Sequence, residues 1–242
     1  ASAPEKCLRQ LIKCIVQVYE DKKGIYGYRR ITIYLNQFLN AKVNHKCVQR
    51  LMKLLGLKAV IRRKRYNYKP HSPSHVAENI LDREFQKEYQ PMEVLLTDVT
   101  EFKYGTQSKA YLSAILDYGE KKIVAFKLSK HNNNELVQKT VSQIEDRIKP
   151  TKTLIHSDRG FQYTSHGFKQ FVDKHQVIQS MSRVGKCIDN GPMESFFGTL
   201  KEEMYRLNDY ETFEQLESDI KHYIDFYNTK RVTLSMGLKI PA

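Results

Sequence analysis

The chain contains no tryptophan, and its four cysteines never form a CxxC pair. Without paired cysteines at metal-ligand spacing, neither a zinc ribbon nor a dithiol redox centre can be read from it. Cys7, Cys14 and Cys47 fall at apolar positions of helical patterns and are expected as buried thiols of a reducing compartment. His71 and His75 have a His-x3-His spacing, but Pro73 interrupts it and no cysteine pair lies nearby, so both read as loop residues. No apolar run approaches the roughly 20 residues that span a bilayer, so no membrane partner is expected.

Acidic residues are the other shortage. Asp and Glu number 27 against 40 Lys and Arg, a formal net charge of +13 over 242 residues. Such an imbalance suits a polyanionic partner, a nucleic acid before an anionic membrane surface. With 40% hydrophobic residues the chain can still build a core, which excludes wholesale disorder.

The pattern along the chain changes twice. Residues 1–56 read as helices. Leu8, Leu11, Ile12, Ile15, Val16 and Tyr19 recur at three- and four-residue steps, and Gly24 and Gly27 break the pattern. A second helix is expected over Tyr28–Leu39. A third follows Asn44 as its cap, with Val48, Leu51, Met52 and Leu55 as its apolar stripe and Gly56 as its stop. Two helices joined by the short turn Asn40–Val43 resemble a helix-turn-helix. Lys46, Arg50 and Lys53 then lie off the core stripe, where they face DNA or, in the plainer reading, solvent.

Residues 57–91 read as a basic linker. Arg62, Arg63, Lys64 and Arg65 stand together, Tyr66 and Tyr68 are interleaved, and a Pro/Ser-rich stretch follows. Basic side chains neutralise phosphates and aromatics stack on bases, so this run is a candidate for tracking nucleic acid. Residues 92–208 are mixed α/β. The runs VLLTDVTEF, AYLSAILDY and KIVAFKLS are separated by tight connections and predict consecutive antiparallel strands. A helix over Glu135–Ile148, a strand at TLIHSD, a helix over Ser165–His175, a strand at VIQSMS and a helix over Pro192–Tyr205 complete the order β-β-β-α-β-α-β-α. Residues 209–242 hold a last helix, Phe213–Tyr227, and a tail.

Three acids stand at element ends: Asp98 in the first strand, Asp158 at the end of the fourth, and Glu194 in the first turn of a helix. In such a layout strands one and four can be neighbours, which would bring these carboxylates together. Gathering three carboxylates is costly unless cations sit among them. Oxygen ligands of this kind suit two Mg²⁺ or Mn²⁺ ions about 3.5–4 Å apart, a pair able to drive an in-line displacement at a phosphodiester. Taken singly, Asp98 and Asp158 also read as turn acids and Glu194 as a helix-dipole residue, and Asp117 and Asp189 compete with them.

The surrounding segments separate the candidates. YGYRRI (26–31), RLMKLLGLKA (50–59), TDVTEF (97–102), HSDRGFQYTS (156–165), SMSRVGKCIDNGPMESFFGTLKEE (180–203) and YIDFYNTKR (223–231) resemble transposases of the insertion-sequence-three family, in the catalytic half encoded by its downstream reading frame. The resemblance covers about residues 24–240. It implies a ribonuclease-H-like integrase core, a five-stranded mixed sheet flanked by helices, behind an N-terminal all-helical, helix-turn-helix-like domain. It also implies a DDE triad at Asp98, Asp158 and Glu194, with 35 residues between the last two. By the same resemblance Lys201 contacts DNA near the scissile phosphate, Arg29 and Arg30 support DNA contact, and His156, Arg159, Gly160, Tyr163, Ser182, Asn190 and Ser195 shape the site. The implied activity is metal-dependent cleavage of insertion-element ends and 3′-hydroxyl strand transfer, in a bacterial, cytoplasmic, nucleoid-associated setting, by a homo-oligomer on DNA.

Departures are few. Leu95 stands where the family commonly has Trp, Gly191 where Ala is usual, and Thr233 where a His is frequent. The family's upstream helix-turn-helix and leucine-zipper segment does not occur in this sequence and is expected as a separate or fused partner. Two rival functions are a non-catalytic DNA-binding protein and a ribonuclease-H-type nuclease. The latter calls for a further Glu on the first core helix, where Glu135 and Glu145 are available.

Overall fold

The helical pattern at the start of the chain becomes α1 (Ala3–Asp21), α2 (Tyr28–Phe38) and α3 (His45–Leu54) in a computed structural model that describes residues 3–60, 77–183 and 187–231. The described residues form two compact units, one within 3–60 and one within 77–229. In the first, Ile15, Val18, Ile31, Leu35, Val48, Leu51 and Met52 supply the buried faces of the three helices. The α2–α3 turn is held by Asn36. Its side chain donates to the Val43 carbonyl and accepts from the Val43 amide, as a backbone partner would. Asn44 caps α3 through the Lys46 amide at 2.9 Å, and Gly56 takes the left-handed conformation just past the helix, as expected of a C-terminal stop.

Two expectations for this unit need correction. The segment 57–60 is not linker: the Val60 amide donates to the Gly24 carbonyl, and the Tyr19 hydroxyl to the Lys58 carbonyl. Cys14 and Cys47 are free and half-buried rather than buried.

The second unit is built on a five-stranded sheet of β1 (Val94–Tyr104), β2 (Ser108–Asp117), β3 (Lys122–Ser129), β4 (Leu154–Ser157) and β5 (Ile178–Met181). The strand order is β3-β2-β1-β4-β5. Short hairpins make β1–β2 and β2–β3 antiparallel, while helical crossovers make β4 parallel to β1 and β5 parallel to β4. Alternation along β1 splits the core into two. Leu96 faces α6 (Gly191–Glu203) and α7 (Phe213–Thr229), with Phe196, Leu200, Leu216 and Ile220 in that layer. Leu95 faces α4 (Asn134–Val141) and α5 (His166–Lys174), with Val137, Val141, Phe168 and Val172 in the other.

This unit exceeds the expected core of 92–208 at both ends. Leu81 is buried in the sheet's α6/α7 face, the Ile80 and Leu81 amides donate to Ser180 Oγ, and Phe85 and Tyr89 pack edge-on against Tyr118. Residues 77–91 therefore belong to the core, and so does α7. The helix expected over Glu135–Ile148 is also shorter. It gives way after Val141 to a 3₁₀ turn over Ser142–Arg147, where Ser142 Oγ and the Gln143 side chain bond back to the Lys139 carbonyl.

Candidate active site

Strand register sets the site. Along the parallel β1–β4 pair Val94 stands opposite Leu154, Leu95 opposite Ile155 and Leu96 opposite His156. The same offset carried forward puts Asp98 level with Asp158, which follows β4 directly. Asp98 is half-buried, and its Oδ1 accepts the Val99 amide at 2.7 Å. Its pKa is raised, first by burial and then by the charges of Asp158 and Glu194, while the Val99 amide and the Lys201 ammonium pull the other way. Asp158 is partly solvent-facing, yet the protein packed around its carboxyl still raises its pKa against the Gly160 amide, which donates to its Oδ1 at 2.9 Å.

Glu194 arrives on α6. Pro192 near the helix start, and the buried Met193, Phe196, Phe197 and Leu200, fix the helix against the sheet. Asn190, just before α6, donates from Nδ2 to the Thr97 carbonyl at 3.1 Å and so ties the helix start to the residue preceding Asp98. Thr97 in turn donates to the Ala114 carbonyl and shares a 3.1 Å hydrogen bond with the Tyr163 hydroxyl. Burial, and then Asp98, push the Tyr163 phenol well up, so it stays protonated beneath the acids.

Lys201 lies two helical turns beyond Glu194, on the same face of α6. Its Nζ donates to Thr100 Oγ1 at 2.6 Å and sits 5.2 Å from the Phe102 ring centroid. The ammonium is thereby held along β1, just past Asp98. Arg159 Nε donates to the Ser182 carbonyl at 2.7 Å, so one side of its guanidinium is spent on the fold.

His156 is fully buried between two serines, with Nδ1 2.9 Å from Ser180 Oγ and Nε2 3.1 Å from Ser182 Oγ. Proton accounting assigns its tautomer. Ser180 Oγ already accepts the Ile80 and Leu81 amides, so its hydroxyl donates to Nδ1; Nε2–H donates to Ser182, whose hydroxyl turns to the Ser157 carbonyl. Burial pushes the imidazole pKa down to about 4, in keeping with this neutral form.

The competing acids are structural. Buried Asp117 accepts the Met92 amide at 2.8 Å and the Gly119 amide at 2.9 Å, closing the β2–β3 turn. Buried Asp189 pairs with Arg83 Nε at 2.5 Å and Arg183 Nε at 3.1 Å, and also accepts Asn79 Nδ2. Burial alone would raise its pKa, but the Arg183 and Arg83 bonds outweigh burial and hold it at about 2. Glu135 pairs with Lys139, and Glu145 lies 3.7 Å from both Lys174 Nζ and His175 Nε2.

Among the basic candidates, Arg29 leans on the Tyr28 ring and Arg30 on the Tyr26 ring, while Lys46, Arg50 and Lys53 are exposed on α3. Arg62, Arg63, Lys64 and Arg65 lie outside the described residues. Sequence reasoning missed Thr97 and Thr100, two unremarkable strand threonines, and Ser180 with Arg83, whose partners are distant in sequence.

The donor set is all oxygen and carries mutual repulsion that a cation would relieve, which fits a hard divalent ion. As they stand, the acids meet at Coulombic rather than coordinating range: among the described residues no three His, Cys, Asp or Glu side chains close around an ion. No helix among them is long and apolar enough to cross a membrane.

Comparison with known proteins agrees with this layout. Residues 8–65 match an HTH-like domain, and residues 88–187 and 194–240 match integrase core domains. InsK for insertion sequence element IS150 of Escherichia coli (strain K12) is 36% identical over 97% of this chain and 82% of its own. An uncharacterized transposase-like protein of Haemophilus influenzae is 42% identical over 79% of this chain and 88% of its own. The transposase for insertion sequence element IS904 of Lactococcus lactis subsp. lactis is 34% identical over 94% and 90%. Among solved structures, a chain of the simian T-cell lymphotropic virus intasome shares the fold, with a TM-score of 0.51 and 12% identity over 90% of this chain and 70% of that one.

Proposed function

Because this chain belongs to the insertion-sequence-three family of transposases, with an HTH-like domain and an integrase core, we propose that Asp98, Asp158 and Glu194 are its DDE triad and hold two Mg²⁺ or Mn²⁺ ions. Such ions supply Lewis-acid activation of a water or 3′-hydroxyl oxygen and charge stabilisation at the leaving oxygen. The observation that supports the reading is the β1–β4 register, which sets Asp98 level with Asp158, together with the Asn190–Thr97 bond that ties the start of α6, the helix carrying Glu194, to the residue before Asp98.

The chain's own residues then divide the work. The two strand acids give a rigid base, since each sits on or directly after a fully paired strand. Glu194 approaches from a helix whose packing fixes its height. Lys201, braced on Thr100, meets a phosphate oxygen next to the reacting phosphorus. Neutral His156 adds no charge and holds β4 and β5 in line through its two serines. In end cleavage a water oxygen bonds to phosphorus and a strand 3′-oxygen leaves. In strand transfer the freed 3′-oxygen bonds to a target phosphorus, the target's own 3′-oxygen leaves, and the proton of the attacking hydroxyl is released. No covalent protein intermediate is involved. DNA contact by Lys46, Arg50, Arg29 and Arg30 places the helical unit on the same substrate, and joining two element ends calls for a homo-oligomer, with the upstream-frame segment as a further partner.

The test is Glu194→Gln with labelled element ends and Mg²⁺. Loss of 3′-end joining is expected; undiminished joining sinks the assignment. The ribonuclease-H alternative calls for a further acid, and the two candidates for it, Glu135 and Glu145, face Lys139 and Lys174 at the surface.

A further inference from the structure

The stretch ahead of β1 carries two consecutive non-glycine residues in the left-handed region, Asp82 at φ 37° and Arg83 at φ 64°. That conformation is unfavourable for both and persists only where the surroundings hold it. Here they do. The Asp82 amide donates to Asn79 Oδ1 at 3.1 Å, and Asp82 Oδ1 lies 3.0 Å from an Arg183 guanidinium nitrogen. Asn79 Nδ2 and Arg83 Nε both donate to the buried Asp189 carboxylate. The Met181 amide donates to the Glu78 carbonyl. Ser180 Oγ accepts the Ile80 and Leu81 amides while it holds His156, two residues before Asp158.

Charge balance does not call for Arg83. Arg183 already gives Asp189 its main-chain amide at 2.9 Å and two guanidinium nitrogens at 3.1 and 3.3 Å. What Arg83 adds is an anchor from a distant part of the chain. Asp189 and Asn190 end the 3₁₀ turn Cys187–Asn190, which runs directly into α6. Asn190 ties that point to Thr97 on β1, and Asp189 ties it to Arg83. A helix start held at one point pivots about it; held at two, it keeps its direction. Glu194 lies in the first turn beyond. We propose that Arg83 is a positioning residue for the reaction: through Asp189 it sets the direction of the first turn of α6, and so the place of the Glu194 carboxylate relative to Asp98 and Asp158. The inference rests on the triad reading of those acids. Arg83 takes no part in the bond changes.

Metal affinity reads that placement without turnover. Mn²⁺ binding to the 242-residue chain, free of DNA, is followed by the electron paramagnetic resonance signal of the free ion. Arg83→Ala should fold, because Arg183 keeps Asp189 paired. It should raise the Mn²⁺ dissociation constant about tenfold, the scale for removing a group that orients a metal ligand. Arg83→Lys, which keeps a cation for Asp189, should recover most of that loss. Glu194→Gln should weaken Mn²⁺ binding by itself, and adding Arg83→Ala to it should cost nothing more, since Arg83 then has no carboxylate to place. Single-turnover joining by Arg83→Ala should fall at limiting Mn²⁺ and recover as the ion is raised. An unchanged dissociation constant in Arg83→Ala overturns the proposal, as does equal weakening by lysine and alanine. The same increment with and without Glu194 also overturns it, since a general loosening of the fold acts in both backgrounds. Where Glu194→Gln binds too little Mn²⁺ to measure, the lysine variant decides. Mn²⁺ binding and joining that both survive Glu194→Gln refute the triad reading, whatever Arg83 does.

Discussion

Lys201 shows what a single side chain in this site has to satisfy. A lysine two turns after an acid is common on solvated helices, but here it bridges to Thr100 and bears on the Asp98 carboxyl. Lys201→Ala should reduce single-turnover joining by about 10²-fold, the scale for one electrostatic donor at a reacting centre, while thermal unfolding moves little. Wild-type joining by this variant would remove Lys201 from the site. Asp189 is the contrasting case, an acid that serves the fold. Its carboxyl is held at about 2 against an ordinary value of 3.8, so its contribution is complete above pH 4 and is lost as pH falls toward 2. The shift corresponds to about 2 kcal/mol. Urea melts of Asp189→Asn should show a loss of that size at neutral pH that shrinks on acidification across this window; a constant difference would contradict it. In sequence Asp158 and Asp189 look alike, because each stands two residues before a glycine. What separates them is the partner: Arg83 lies far from Asp189 along the chain, and no local spacing reports that pairing.

At the scale of elements, legibility followed periodicity. The three N-terminal helices and the β hairpins were readable, because apolar steps of three, four or two residues reflect one packed face. The break in the helix after Val141 was not, since apolar spacing continues through Ile144 while serine and glutamine side chains compete for backbone carbonyls. Residues 77–91 look like linker in sequence because their few apolar residues show no period, yet Leu81, Phe85 and Tyr89 each fill a place on the core. For α3, exposure of Lys46, Arg50 and Lys53 along one face yields a prediction in salt dependence. Replacing Lys46 and Arg50 together by alanine should weaken DNA binding similarly across sequences and reduce the slope of log affinity against log salt by roughly 2. An unchanged slope would place that face in solvent.

For the molecule as a whole, the basic surplus identified the class of partner, and the motif segments identified the reaction. Neither fixed the geometry. The candidate site became visible only when the sheet order brought β4 beside β1, a pairing between residues more than fifty positions apart that rests on the crossover through α4 and no local signal. That parallel pairing also governs how this protein can change over time. The turn at Tyr104–Ser108, the β2–β3 connection and the crossover ahead of β4 can lengthen or shorten without moving Asp98 relative to Asp158, because none of them enters the register. A single inserted residue between Val94 and Asp98 turns the first acid to the opposite face of the sheet. Length variation is therefore tolerated in the loops and forbidden over a few residues of one strand, so the distance between the two strand acids is set by pairing rather than by chain length.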